Sequence, residues 1–186
     1  MKRLFVAIEL SPQVKAIAAE AKALLEQDGK EARWVAPDNV HLTLRFLGDC
    51  PDEQVEPIIA SLRQALTDRV VFHCETTSFG TFPGGKQARI LWLGVEAVPE
   101  LMQLYDYVSS ALHDLGFDPE KRPFRPHLTL ARLKRPRLID IGFTDSKIDA
   151  KQLINVEAVT LFAAHLAATG AVYESLAKID LKRAKA

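Results

Sequence analysis

The sequence predicts an α+β protein of two similar lobes facing each other, and three observations lead there. The tetrapeptide His-Leu-Thr-Leu occurs twice, at residues 41–44 and 127–130. The displacement between the copies, 86 residues, also carries Leu4 onto Ile90, Phe5 onto Leu91 and Pro37 onto Pro123. Strand, helix, proline loop and histidine-bearing strand therefore recur in one order. A solenoid would need more copies, so two lobes meeting across a cleft is the simpler arrangement. Finally, 186 residues at 48% hydrophobic content can bury one ordinary core, which favours a single domain spanning residues 1–186 over separate units.

Each element has a local reason. Residues 4–8 form an apolar run, and Ser11 with Pro12 then suits a helix start, as cap and first helical position. Val14, Ile17, Ala18, Ala21, Leu24 and Leu25 follow at helical spacing, with Gly29 past the end. After the turn at Pro37, Asp38 and Asn39, residues 40–47 alternate like a half-buried strand that stops at Gly48. A helix fits 52–66. Strands over 70–79 and 89–95 flank Pro83, Gly84 and Gly85 as a hairpin-like pair. The second copy supplies a helix over 99–115, with Leu101, Leu104, Tyr105, Val108 and Leu112 on one face and Gly116 closing it. A strand over 126–132 follows the Pro123 loop. Two closing strands, 156–166 and 171–181, surround a turn at Thr169 and Gly170, and Arg183, Ala184 and Lys185 form a loose tail.

Composition excludes several classes. The 24 basic and 24 acidic residues balance, so any affinity for a polyanion must come from a local patch. No run of about 18 apolar residues is present, and the opening apolar run is too short for a signal peptide. Cys50 and Cys74 have neither metal nor redox spacing and read as reduced thiols of a cytoplasmic protein.

The paired motif carries the chemistry. Residues two apart on a strand share a face, about 6–7 Å apart, so each motif sets an imidazole beside a hydroxyl. Leu42, Leu44, Leu128 and Leu130 fill the opposite, core-facing side. If the lobes face each other, two imidazoles and two hydroxyls surround one pocket. Metal-free hydrolysis of a phosphodiester needs such a set. One neutral imidazole takes a proton from water, and one imidazolium protonates the leaving oxygen. Thr43 and Thr129 can donate to the non-bridging oxygens, where charge collects. One histidine on a strand is more often structural than catalytic; two copies at equal offset, each after a proline loop, are much harder to assign to chance.

With the flanking sequences added, namely RLFVAI at 3–8, VHLTLRFLG at 40–48, ILWLGV at 90–95 and RPFRPHLTLAR at 122–132, the chain resembles the 2H phosphoesterase superfamily. Within it the chain is similar to the RNA 2′,3′-cyclic phosphodiesterase branch, once called 2′-5′ RNA ligase. The resemblance runs from Arg3 to about Glu174. It implies a bilobal α+β fold, two pseudo-symmetric lobes of antiparallel strands with helices outside and a central cleft. It implies hydrolysis of a terminal RNA 2′,3′-cyclic phosphate to a 2′-phosphate, with tRNA fragments as one such substrate. It also implies reversible 2′-5′ joining of RNA ends without a nucleotide cofactor. Carried over from the branch, His41 is the proton donor and His127 the acceptor. The residues alone leave that direction open. No metal or other cofactor is expected, nor a membrane partner. A monomer is expected because the internal symmetry already completes the site.

Around the second motif lie Arg122, Arg125, Arg132, Lys134, Arg135 and Arg137. Strict alternation puts Arg45 on the face of His41 and turns Arg132 away from His127 unless a bulge follows Leu130. The resemblance favours Arg132 as the phosphate contact, so both are candidates, with Arg125 beside them. Phe5 and Phe46 can stack on a base, although their apolar surroundings favour burial. His73, His113 and His165 are isolated and receive no role.

Three alternatives compete. A small cyclic nucleotide would satisfy the two motifs equally, because they read only phosphate, and a non-catalytic RNA-end binding module would keep the fold. Against that module, phosphate binding alone would more naturally use Arg, Lys and backbone amides. A zinc hydrolase fails for want of a suitably spaced third ligand.

Overall fold

In the computed structural model, which describes residues 1–26, 32–167 and 170–183, the first apolar run is strand β1 (Lys2–Glu9), followed by helix α1 (Pro12–Glu26). A three-residue strand β2 (Ala32–Trp34) and a 3-10 turn at Pro37–Asn39 lead into β3 (His41–Cys50), which carries the first motif. Then come α2 (Val55–Leu66) and β4 (Phe72–Phe82). The second copy runs β5 (Ala88–Val95), α3 (Pro99–His113), β6 (His127–Arg137) and α4 (Ile141–Lys147). Strands β7 (Leu153–Val156), β8 (Ala158–Ala167) and β9 (Gly170–Asp180) close the chain.

The strands form one curled antiparallel sheet in the order β7-β4-β5-β6-β3-β1-β8-β9, with β2 added to β6. Two lobes follow from that order: β3, β1, β8 and β9 on one side, and β6, β5, β4 and β7 on the other. They meet at β3 and β6, paired through Leu42 and Leu128. The two copies exchange strands. β4 ends the first copy yet pairs with β5 in the second lobe, and β8 ends the second copy yet pairs with β1 in the first. This exchange ties the lobes together.

Helices cover one face of the sheet. Leu4, Val6 and Ile8 of β1, with Leu42 and Leu44 of β3, meet Val14, Ile17 and Ala21 of α1 and Ile58 and Leu62 of α2 in a continuous apolar core. Completely burying one such side chain stabilises by about 1.5–3 kcal/mol, so the helices are held to this face and the opposite one is left for the cleft. Cys50 and Cys74 are buried free thiols, and burial pushes Cys74 up to about 11. Both are therefore inert packing groups at neutral pH.

The paired α/β units, the hairpin of β4 and β5 and the antiparallel closing strands match the expected architecture. Several details differ. β3 does not stop at Gly48: that residue takes φ +75° and the strand continues to Cys50, opposite Lys2. The expected strand 156–166 is two strands, broken at Glu157, whose carbonyl accepts the Leu181 N–H at 2.7 Å. β2, α4 and β7, of three, seven and four residues, are too short to show a period. Gly29, Thr169, Ala184 and Lys185 lie outside the described residues. Among the described residues no helix is long and apolar enough to cross a membrane.

Candidate active site

The cleft face is set by two equivalent bulges. On β3, Thr43 stands opposite Ala7 but Arg45 opposite Val6, so Leu44 is an extra residue in the strand. On β6, Thr129 stands opposite Trp92 but Ala131 opposite Leu91, so Leu130 is extra in the same way. A bulge reverses which face later residues take. Leu44 and Arg45 therefore both turn to the core, as do Leu130 and Ala131, and the next residues, Phe46 and Arg132, turn to the cleft.

This corrects the expectation for Arg45. It is 4% exposed, donates to the Asp118 carbonyl and lies 3.9 Å from Glu120. Simple alternation put it on the catalytic face, and the Leu44 bulge removes it. What it does instead is brace the loop after α3. Arg132, exposed and lining the cleft cavity, gains by the matching bulge what Arg45 loses.

The cavity has a volume of about 340 Å³. His41, Thr43, Thr129, Arg132, Phe5 and Phe46 line it, together with Arg3 and Tyr173. His127 is not among the residues that line it, and lies two residues before Thr129 on β6. Continuing the antiparallel register from the Leu42–Leu128 bridge sets His41 opposite Thr129 and Thr43 opposite His127. The two imidazoles are then diagonal neighbours, on strand positions roughly 7–8 Å apart, with a hydroxyl beside each. Arg125 reaches the site through its backbone alone: the side chain is exposed and does not line the cavity.

Each imidazole is oriented identically. Nδ1 of His41 lies 2.7 Å from the Asn39 carbonyl oxygen, and Nδ1 of His127 lies 2.7 Å from that of Arg125. A carbonyl only accepts, so Nδ1 carries the hydrogen in both, and Nε2 is the nitrogen left for substrate. The loops bearing those carbonyls are anchored. Asn39 donates its side-chain amide to the Ala171 carbonyl at 2.6 Å, and Lys15 donates to the Asp38 carbonyl at 3.1 Å. Before His127, Phe124 stacks on Tyr105 of α3 with centroids 4.2 Å apart, and Arg45 grips the same loop.

Aromatic rings shield both histidines. Phe5 lies 4.8 Å from His41 and Tyr173 meets it edge-on at 5.3 Å; Phe82 meets His127 edge-on at 5.1 Å, with Trp92 at 6.3 Å. Burial accordingly holds His41 below the usual 6.5, opposed by the Asn39 carbonyl and helped by the Lys15 charge. Burial also lowers His127, opposed by the Arg125 carbonyl and helped by Arg132. Burial raises the Tyr173 hydroxyl, so it stays protonated at neutral pH. Of the two candidate stacking residues, Phe5 is 3% exposed and packs on Phe162, whereas Phe46 is 61% exposed at the cavity wall.

Sequence reading missed Tyr173, Phe82 and Trp92, which arrive from distant strands and carry no local signal, and it read Asn39, two residues before His41, only as a turn residue. His165, given no role, touches the cavity and pairs with Glu174 at 3.0 Å. Among the described residues, no cluster of three or more His, Cys, Asp or Glu could hold a metal ion.

The duplicated chain has counterparts among known proteins. The family model described as LigT like Phosphoesterase matches residues 8–92 and again residues 93–173. The chain belongs to that family. An RNA 2′,3′-cyclic phosphodiesterase of Thermotoga maritima is 32% identical over 180 residues, spanning 94% of this chain and 92% of that protein. Among solved structures, TT0787 of Thermus thermophilus superposes with TM-score 0.81 at 26% identity, covering 96% of this chain and 97% of the other. LigT of E. coli complexed with 3′-AMP gives TM-score 0.76 at 26% identity, covering 97% and 98%. In this LigT-like chain the two family matches divide near Trp92, so each contains one histidine motif.

Proposed function

We propose that this protein hydrolyses the terminal 2′,3′-cyclic phosphate of RNA to a 2′-phosphate, with His41 as general acid and His127 as general base and without a metal. The observation that carries the reading is the pair of identically oriented imidazoles, each with Nδ1 tied to a carbonyl two residues earlier and Nε2 left for substrate. The relatives' shared activity name supports the substrate, and the 3′-AMP bound by E. coli LigT supports a nucleotide-sized site.

Water attacks phosphorus opposite the 3′ oxygen, and neutral His127 takes its proton at Nε2. The bond from phosphorus to the 3′ oxygen breaks as His41, protonated at Nε2, gives that oxygen its proton. One water is consumed, and the product carries a 2′-phosphate and a 3′-hydroxyl. Proton exchange with solvent then restores both histidines. Each proton transfer typically contributes about 10²–10⁴-fold. Thr43 and Thr129 donate to the non-bridging oxygens while Arg132 neutralises their charge. Because burial keeps both imidazoles neutral at pH 7 in the free protein, the anionic substrate itself favours the protonated state that the acid requires.

The His41-acid assignment rests on the resemblance, and the near-symmetric site accommodates the reverse. If a 5′-hydroxyl replaces water, the same displacement forms a 2′-5′ linkage without a nucleotide cofactor. The test is to incubate the protein in excess EDTA with a short oligoribonucleotide ending in a 2′,3′-cyclic phosphate and to identify the product. A 2′-phosphate is expected. A 3′-phosphate would reverse the leaving group, and no turnover with retained binding would favour an RNA-end binding module.

A further inference from the structure

β2 contributes only three residues, and its register on β6 separates them cleanly. Ala32 stands opposite Leu133 and Trp34 opposite Ala131, on the core side, where Ala32 and Trp34 pack against the apolar cluster. Arg33 stands directly opposite Arg132 on the other side, the cleft side. Opposite residues of an antiparallel pair hold their Cβ atoms about 4.5–5.5 Å apart, and like charges there destabilise the pair. Both arginines are exposed, and neither has a carboxylate within ion-pair distance among the described residues. The backbone of β2 is held without the Arg33 side chain, through its ladder and the Val35 N–H to the Leu130 carbonyl at 2.8 Å. Folding does not explain two guanidinium groups side by side with no ion-pair partner among the described residues.

Their position suggests what does. The cavity's volume is at the low end of the roughly 300–1,000 Å³ usual for ligand sites, room for about one nucleotide. A longer chain must leave it across a rim. Val35 and Arg132 line the cavity where β2 begins to cover β6, so a strand leaving there crosses Arg33 next. At the other basic edge, Arg3 stands between Asp49 and Ala164, so no like charge faces it. Of these two edges, only the Arg33 exit sets two like charges opposite each other.

We propose that Arg33 binds the phosphodiester joining the terminal nucleotide to its 5′ neighbour, so that the protein prefers oligonucleotides over mononucleotide cyclic phosphates. This rests on the cyclic phosphodiesterase reading above. Arg132 holds the reacting phosphate and Arg33 the next.

The experiment compares kcat/KM for a 2′,3′-cyclic mononucleotide and for a short oligoribonucleotide with the same terminal nucleotide, across a salt series, in wild type, Arg33→Ala and Arg33→Lys. In Arg33→Ala the oligonucleotide-to-mononucleotide ratio is expected to fall about tenfold, the size of one charge-assisted phosphate contact. The oligonucleotide salt slope should become shallower by about 0.7, the value for one phosphate on a single strand. Arg33→Lys should recover part of the ratio, because it keeps the charge and loses the fork. An unchanged ratio and slope in Arg33→Ala, or an equal loss on both substrates, overturns the inference and leaves the phosphodiesterase reading standing. A wild-type protein that turns over neither substrate removes both.

Discussion

Leu42 of β3 stands opposite Leu128 of β6, both fully buried, and among the described residues this bridge is the only register point between the two histidine-bearing strands. Both histidine-threonine motifs are placed from it. One residue either side of each leucine is a histidine or a threonine, so a single antiparallel bridge brings two imidazoles and two hydroxyls onto one face. The buried leucines fix the register, because a slip of one residue would turn them into the cleft.

The bulges bury Arg45 and turn Arg132 to the cleft. Arg45→Met should lower the unfolding midpoint by the loss of a buried charged donor, about 1–3 kcal/mol, and leave KM nearly unchanged. Arg132→Ala should leave the midpoint near wild type and reduce kcat/KM by at least tenfold, in line with a charge-assisted contact of about 1.5–3 kcal/mol. Thermal unfolding and steady-state kinetics on the same samples separate them; a large KM effect in Arg45→Met would contradict the bulge assignment.

The pH profile follows from the two lowered histidines. Activity needs one imidazole neutral and one protonated, a state most populated between the two values. Both lie below 6.5 in the free protein, so kcat/KM should peak on the acid side of 6.5. Burial is the main cause that lowers His127, and in Arg132→Ala the charge that adds to it is gone, so one limb of the profile should move slightly to higher pH. A peak well above 6.5, or an unmoved profile in that variant, contradicts this electrostatic account.

Trp92 flanks His127 because Gly80 leaves room for its indole. A Cβ added at Gly80 would fall 2.2 Å from the Trp92 ring. Gly80→Ala should therefore cost about 1–3 kcal/mol of stability by overpacking and lower kcat by disturbing His127. Adding Trp92→Phe should restore part of both losses, measured as a double-mutant cycle.

The two phenylalanines should behave oppositely. Phe5→Ala empties a site under the His41 ring, and about 3–5 kcal/mol of stability should go with it. Phe46 is exposed, so Phe46→Ala should barely move the unfolding midpoint. If it stacks on a base, its loss raises KM by the equivalent of about 1–3 kcal/mol.

Much of this was legible in the sequence because it is written twice. The 86-residue displacement relates the bounds of β1 to those of β5, and also links the starts of β3 and β6 and of β4 and β8. Alternation of Leu42 and Leu44 with His41 and Thr43 gave the face of the first motif correctly. The same alternation failed at Arg45, because a bulge depends on the partner strand's register and leaves no mark in the sequence of one strand. The aromatic rings around the histidines come from β1, β4, β5, β8 and β9, and only the sheet order assembles them. The pairing of β4 with β5 was legible in the loop at Pro83, Gly84 and Gly85, but the return of β8 to β1 was not, since a repeat reports similarity of units and not which lobe each strand joins.

The central claim is that both imidazoles move protons in one displacement. The most direct measurement is turnover of an oligoribonucleotide 2′,3′-cyclic phosphate by His41→Ala and His127→Ala beside wild type, in excess EDTA, with circular dichroism confirming the fold of each. Loss of about 10²-fold or more in either variant, as expected for removal of one general acid or base, is the predicted result. Turnover that survives removal of either histidine would contradict the mechanism.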